Sequence, residues 1–107
     1  MTLQERIDRL AEWMGWALGP FEHWYDKAGS VRAEEGWNPF ESHDDAFMLL
    51  KECERRMILE QVAREFVKQQ GYVEYFSHLT SIRWAWLASP TQITEAVKAV
   101  ALPKEKP

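Results

Sequence analysis

Three segments of the 107-residue chain carry the signals of capped amphipathic helices, and they constrain the fold more than any other feature. They cover residues 2–18, 42–69 and 89–102, and each combines an N-cap side chain with apolar residues that recur every three or four positions. Gly19-Pro20 ends the first segment and Pro103 ends the third. The pattern predicts three helices, each with one apolar face to bury.

The second predicted helix is the longest, and no residue marks an end inside it. Ser42 opens it, with Asp45 three residues later, and neither Gly nor Pro follows before Gly71. We therefore predict one continuous helix from 42 to about 69, with a break near Glu60 as the alternative. Its predicted apolar face comprises Ala46, Leu49, Leu50, Cys53, Met57, Ile58, Val62 and Phe66.

The segments between the helices are short and rich in aromatic residues, which favours strands. The predicted strands are residues 21–25, 72–78 and 82–87, and residues 31–37 are a further candidate whose Ala33-Glu34-Glu35-Gly36 run has poor strand propensity. The first strand is expected at a sheet edge and is followed by a turn, and the last two are expected to form a β-hairpin. These elements predict the α+β class, with a small antiparallel β-sheet flanked by three helices in the order α-β-α-β-β-α. We predict one domain over 1–102 and a flexible tail over 103–107.

Composition and charge exclude several classes of protein. The net charge of −4 argues against a general binder of polyanions, and a single Cys excludes an internal disulfide framework. The chain has no apolar run of 18 residues, and its first ten residues are too charged for a signal peptide. We therefore expect a cytoplasmic protein that does not enter a membrane.

Three stretches of the sequence match motifs of one protein family: Met14-Gly15-Trp16 in the first helix, the run from Trp37 to Phe47, and the run from Trp84 to Ala99. The first resembles an MGW signature, the second an entry into the second helix, and the third a last strand and helix. Together they resemble the phage ABA-sandwich family, a group of small phage and prophage proteins also called BC1872-like. The resemblance departs over 54–71. It implies an α/β/α sandwich and a phage or prophage origin, hence a bacterial host cytoplasm, and it carries no activity or functional residue.

Gly15 lies inside the first predicted helix, where glycine costs about 1 kcal/mol relative to alanine. A helix that accepts this cost is expected to bring another backbone, such as the sheet, close to Gly15. An earlier end of the helix is the alternative.

No group of residues in the sequence has the spacing of a catalytic or metal site. His23, His43 and His78 form no ligand motif with each other or with Cys53, which lies on a predicted apolar face. We therefore predict no catalytic residues, no metal and no cofactor. A small enzyme or metal-binding protein built on His23, His43 or Cys53 is the least favoured alternative.

Single-stranded nucleic-acid binding is a second alternative. The residues that would carry it are Arg55, Arg56, Arg64, Lys68 and Arg83. Arg83 adjoins Trp84 and Trp86, which would offer rings for base stacking. Acidic residues alternate with the other four, however, and this favours a solvated helix face with ion pairs.

Protein binding is the predicted function, because six Trp are many for one small core and Trp is a frequent anchor of interfaces. Trp13, Trp24 and Trp37 are the three that no predicted core contains, so we expect them to bind a partner. Burial at the ends of the fold is the alternative for Trp24 and Trp37. The chain is thus predicted to be a non-enzymatic phage or prophage accessory protein whose partner is a host or phage protein. A homodimer is also compatible with these residues.

Overall fold

The structure is a computed structural model that describes residues 2–69 and 88–103. In these ranges the chain forms four α-helices and a three-stranded antiparallel sheet, so the predicted α+β class is confirmed. The predicted hairpin strands at 72–78 and 82–87 lie outside the described residues, as does the tail after Pro103. The helices are α1 (Leu3–Trp13), α2 (His43–Arg55), α3 (Leu59–Gln69) and α4 (Pro90–Ala101), and the strands are β1 (Ala17–Leu18), β2 (Trp24–Tyr25) and β3 (Val31–Ala33).

The chain divides after Asn38 into two compact units. We call Met1–Asn38 the N-terminal unit, which contains α1 and the sheet, and Pro39–Lys106 the C-terminal unit, which contains the other three helices. That residues 1–102 fold as one domain stays a prediction.

The sheet of the N-terminal unit has the strand order β1-β2-β3, so β2 is the middle strand of the described sheet. Leu18 of β1 and Ala33 of β3 both lie opposite Trp24. The prediction of an edge strand over 21–25 is therefore wrong. Pro20–Glu22 form a 3-10 helix instead, and only Trp24 and Tyr25 are extended.

Two turns limit the length of β3. The predicted turn after β2 is confirmed, since the Asp26 carboxylate accepts backbone N–H groups from Ala28 at 2.9 Å and Ser30 at 3.0 Å. At the other end of β3, the N–H of Trp37 donates to the carbonyl of Glu34 at 3.3 Å. The predicted strand over 31–37 is therefore too long, because its last residues form this second turn.

α1 ends at Trp13, earlier than the predicted end at Leu18, and Gly15 ends it. Gly15 has a φ of 85° and donates its N–H to the carbonyl of Glu12 at 2.9 Å, while Trp16 donates to Ala11 at 3.0 Å. These two bonds form a Schellman motif, in which glycine tolerates the left-handed position. Among the residues that the structure describes, the expectation of a backbone close to Gly15 is wrong, because a Cβ there would meet none of their atoms within 4 Å.

The predicted continuous helix over 42–69 is also wrong, because the chain breaks into α2 and α3 at 56–58. Met57 has a φ of 61° and donates its N–H to Glu54 at 3.0 Å, while Ile58 donates to Cys53 at 2.9 Å. This is a second Schellman motif, with methionine where glycine is usual. Met57 is consequently 89% exposed and leaves the predicted apolar face.

The core of the C-terminal unit follows most of the other predicted positions, although Leu50 and Ile58 are only half-buried. The fully buried side chains include Ala46, Leu49 and Cys53 of α2, Val62 of α3, and Ile93, Ala96 and Val97 of α4. The capping box at Ser89 and Gln92 is formed as predicted.

Two threonines join the start of α4 to the segment before α2. The Thr94 hydroxyl donates to the carbonyl of Pro39 at 2.5 Å, and the Thr91 hydroxyl donates to the carbonyl of Phe40 at 2.7 Å. Thr94 is fully buried, so its hydrogen bond satisfies two polar groups that water does not reach.

Candidate functional site

An exposed turn connects β1 to β2, and its backbone is unusual. Phe21 and Glu22 have φ angles of 61° and 59°, a left-handed backbone conformation that residues other than glycine rarely adopt. The turn is closed by two backbone bonds, from Gly19 to the His23 carbonyl at 2.9 Å and from His23 to the Pro20 carbonyl at 3.3 Å. The conformation directs Phe21 outward, and its side chain is 83% exposed.

Tyr25 supports this turn from the neighbouring strand. Its hydroxyl donates to the carbonyl of Pro20 at 3.0 Å. Its ring packs on Gly19, where an added Cβ would lie only 2.6 Å from the ring carbons. Any residue other than glycine at 19 would therefore displace the tyrosine ring, so the Gly19 and Tyr25 pair fixes the position of the turn.

The apolar part of this region is Leu18 and Phe21. Leu18 directly precedes the turn and is 58% exposed. The His23 ring lies beside Phe21, with ring centroids 6.3 Å apart and planes tilted by 49°. Two exposed apolar side chains thus lie three residues apart, one at the end of β1 and one on the turn that Tyr25 supports.

Acidic side chains accompany these residues at the same end of the sheet. Since Trp24 pairs with Ala33 in antiparallel register, the chain leaves β3 at the end where the turn enters β2. Glu34 and Glu35 follow β3 immediately, and both are exposed, as is Glu22 on the turn itself. We call Leu18, Phe21, Glu22, Glu34 and Glu35 the acidic sheet end.

The three tryptophans predicted to bind a partner are placed differently. Trp24 and Trp37 are each only 6% exposed, and Trp13 is half-buried. Trp37 packs against Trp16 edge to face, with centroids 5.0 Å apart. The prediction of an exposed patch of Trp13, Trp24 and Trp37 is therefore wrong, because two of these rings are buried. Burial is the alternative stated for Trp24 and Trp37.

The basic residues of the nucleic-acid alternative are paired with acidic neighbours. The Glu52 carboxylate accepts hydrogen bonds from both Arg55 and Arg56, and the bond from Arg56 Nε measures 2.7 Å. The bonds from Arg55 and Arg56 hold the pKa of the Glu52 carboxyl below its ordinary value. Arg64 Nη2 donates to Glu60 Oε1 at 2.8 Å. This arrangement is the solvated helix face that the sequence favours.

Lys68 is exposed near the end of α3, and Arg83 lies outside the described residues. The structure thus brings Arg55 and Arg56 together, while Arg64 and Lys68 belong to the next helix.

Cys53 and His43, two residues of the enzyme alternative, are held in structural positions. Cys53 is fully buried, and burial raises the pKa of its thiol to about 12, so it does not form a thiolate at neutral pH. The Nε2 atom of His43 lies 3.0 Å from the carbonyl of Ala88, which ties it to the start of α4. Within residues 2–69 and 88–103, no three His, Cys, Asp or Glu side chains form a group that could hold a metal.

Sequence reasoning missed Phe21 and Leu18 because it placed the first in a strand and the second in a helix. The signal was present in Gly19-Pro20, which favours a turn over a strand at this position. Among the described residues, no helix has the length and apolarity needed to cross a membrane. Comparisons with protein-family models, curated proteins and solved structures find no match to the chain.

Proposed function

We propose that the chain is a non-enzymatic accessory protein of a phage or prophage, which acts in the bacterial host cytoplasm by binding a host or phage protein through the acidic sheet end. The observation that carries this proposal is Phe21, an aromatic side chain that is 83% exposed on a turn fixed by neighbouring residues. The phage origin rests on the resemblance of three stretches of sequence to the ABA-sandwich family.

A fixed aromatic side chain is a good anchor for an interface. Aromatic residues bury a large area on binding, and few rotatable bonds are frozen when they do so. The turn adds to this advantage, because Tyr25 and Gly19 hold its backbone before any partner arrives. Binding energy is then not spent on ordering the loop.

Affinity capture from a lysate of the bacterial host tests this function. The bait proteins are the unchanged chain, Phe21→Ala and Met57→Ala, which removes an equally exposed apolar side chain from the C-terminal unit. We expect a protein that the unchanged chain and Met57→Ala retain and that Phe21→Ala loses by about tenfold or more, the effect of removing an interface anchor. Recovery of the same proteins by all three baits would contradict the proposal.

Two other partners are distinguished by Phe21→Ala and by variants of Arg55 and Arg56. If the occupant is a second copy of the chain, sedimentation will show a dimer that Phe21→Ala dissociates. If the chain binds single-stranded nucleic acid, a gel shift will appear at low salt, where electrostatic attraction is strongest, and will weaken on removal of Arg55 or Arg56. Either result would replace the proposed protein partner.

A further inference from the structure

We infer that the partner of the acidic sheet end is a basic protein surface, with an apolar pocket for Phe21 and a rim of Lys or Arg side chains. This inference rests on the proposed function and specifies the chemistry of the partner. It follows from the placement of charge around the exposed apolar residues.

Charge is distributed unevenly between the two ends of the sheet. Glu22, Glu34 and Glu35 lie at the end that carries Phe21, whereas the turn at the opposite end holds Asp26 and Lys27, whose charges cancel. The N-terminal unit has seven acidic and four basic residues, so its net charge is −3 of the −4 of the whole chain. An approaching partner therefore meets a negative potential around the aromatic anchor.

The three carboxylates of the acidic sheet end are not paired with basic residues that the structure describes. Glu22, Glu34 and Glu35 are exposed, and none forms an ion pair with a residue that the structure describes. In contrast, Glu52 and Glu60 of the C-terminal unit pair with arginines on their own helices. The carboxylates of the acidic sheet end are thus available to cationic side chains of another protein.

The combination defines what a matching surface must contain. A pocket that accepts Phe21 removes its apolar area from water, which supplies affinity. Lys or Arg side chains around this pocket face Glu22, Glu34 and Glu35, which raises the association rate and excludes acidic surfaces. Since the carboxylates are exposed, their contribution is weakened by salt, while that of Phe21 is not.

Selection from a displayed library of random 12-residue peptides tests the inference without knowledge of the natural partner. The unchanged chain is compared with Phe21→Ala and with the triple variant Glu22→Gln, Glu34→Gln, Glu35→Gln. The matched control is Glu5→Gln, Asp8→Asn, Glu12→Gln, which removes the same three charges from α1. We expect the unchanged chain to enrich peptides that combine an apolar residue with several Lys or Arg.

The variants give distinct results for the inference and for the proposed function. We expect the triple variant of the sheet end to bind the enriched peptides about tenfold more weakly at 50 mM salt and about twofold more weakly at 500 mM, with a smaller loss for the α1 control. Enriched peptides without a basic bias, or equal losses for both triple variants, would overturn the inference while leaving Phe21-dependent binding intact. Enrichment that Phe21→Ala does not reduce would overturn the proposed function itself.

Discussion

The two units of the molecule each expose one large apolar side chain on a left-handed backbone, and they do so for different reasons. Met57 occupies the left-handed position of a Schellman motif, so the end of α2 accounts for its conformation. Phe21 lies in a turn whose backbone is supported by Tyr25 and Gly19. Exposure alone therefore does not distinguish a binding contact from a helix end.

The charged residues beside Met57 and beside Phe21 distinguish the two positions. Beside Met57, the arginines at the end of α2 both bind Glu52, so these charges are already paired within the chain. Beside Phe21, the three carboxylates of the acidic sheet end form no ion pair with a described residue. The two exposed side chains thus differ in whether the charged residues beside them form ion pairs within the described part of the chain.

The largest expected effects on the free energy of unfolding come from truncating a buried side chain in the core of either unit. Leu10 and Leu49 are both fully buried, and Leu10→Ala and Leu49→Ala are each expected to cost about 2–5 kcal/mol. If residues 1–102 are one domain, both variants will shift the whole urea transition, followed by circular dichroism and by tryptophan fluorescence. A variant that shifts only part of the transition would show that the two units unfold separately.

A smaller loss is expected when the start of α4 is detached in the C-terminal unit. Thr94→Val leaves the carbonyl of Pro39 without its donor in the interior, which should lower the free energy of unfolding by about 2 kcal/mol. Thr91→Val is the control, because Thr91 is exposed and water can replace its hydroxyl. Urea denaturation gives both values, and equal losses would mean that burial does not set the strength of these bonds.

The two Schellman motifs should respond to substitution in opposite directions. Gly15→Ala forces a side chain into a left-handed backbone and is expected to destabilise the N-terminal unit by about 1 kcal/mol. Met57→Gly relieves the same strain in the C-terminal unit and is expected to stabilise it by up to about 1 kcal/mol. Thermal unfolding measures both, and a loss of stability in Met57→Gly would contradict this account of the α2 end.

The smallest effect concerns pH at the end of α2. The hydrogen bonds from Arg55 and Arg56 lower the pKa of Glu52, so the pair stabilises the folded state above the ordinary carboxyl pKa, and this stability is lost as the pH falls through the lowered value. Glu52→Gln should therefore lower stability at pH 7 by under about 1 kcal/mol and should reduce the loss on acidification. Glu60→Gln, in a more exposed pair, is the control. An identical acid transition in Glu52→Gln and the unchanged chain would contradict the assignment.

Local signals predicted the helix starts of this chain better than its helix ends. The caps at Thr2, Ser42 and Ser89 are formed, because each depends on a side chain that reaches a backbone group three residues away. The apolar period placed Leu10, Leu49 and Ile93 in the interior for the same local reason. In both cases the sequence contains all the atoms that decide the outcome.

The helix ends and the site depend on backbone geometry that the residue type only weakly indicates. Met57 ends α2 although methionine is a good helix former, and Gly15 ends α1 within a continuing apolar period. The turn that carries Phe21 is supported by Tyr25, a contact between a strand and the turn before it that periodicity does not reveal. The cluster of negative charge at the sheet end was likewise not predictable from the sequence, because only the register of β2 and β3 brings Glu34 to the turn.

Photo-crosslinking in the bacterial host tests the central claim most directly. A benzophenone amino acid at position 21 keeps an aromatic ring on the turn, and the same amino acid at position 57 is the matched control in the C-terminal unit. The account predicts one discrete crosslinked protein from position 21, with Lys or Arg side chains around the site of attachment, and none from position 57. No crosslink from position 21, or the same products from both positions, would contradict it.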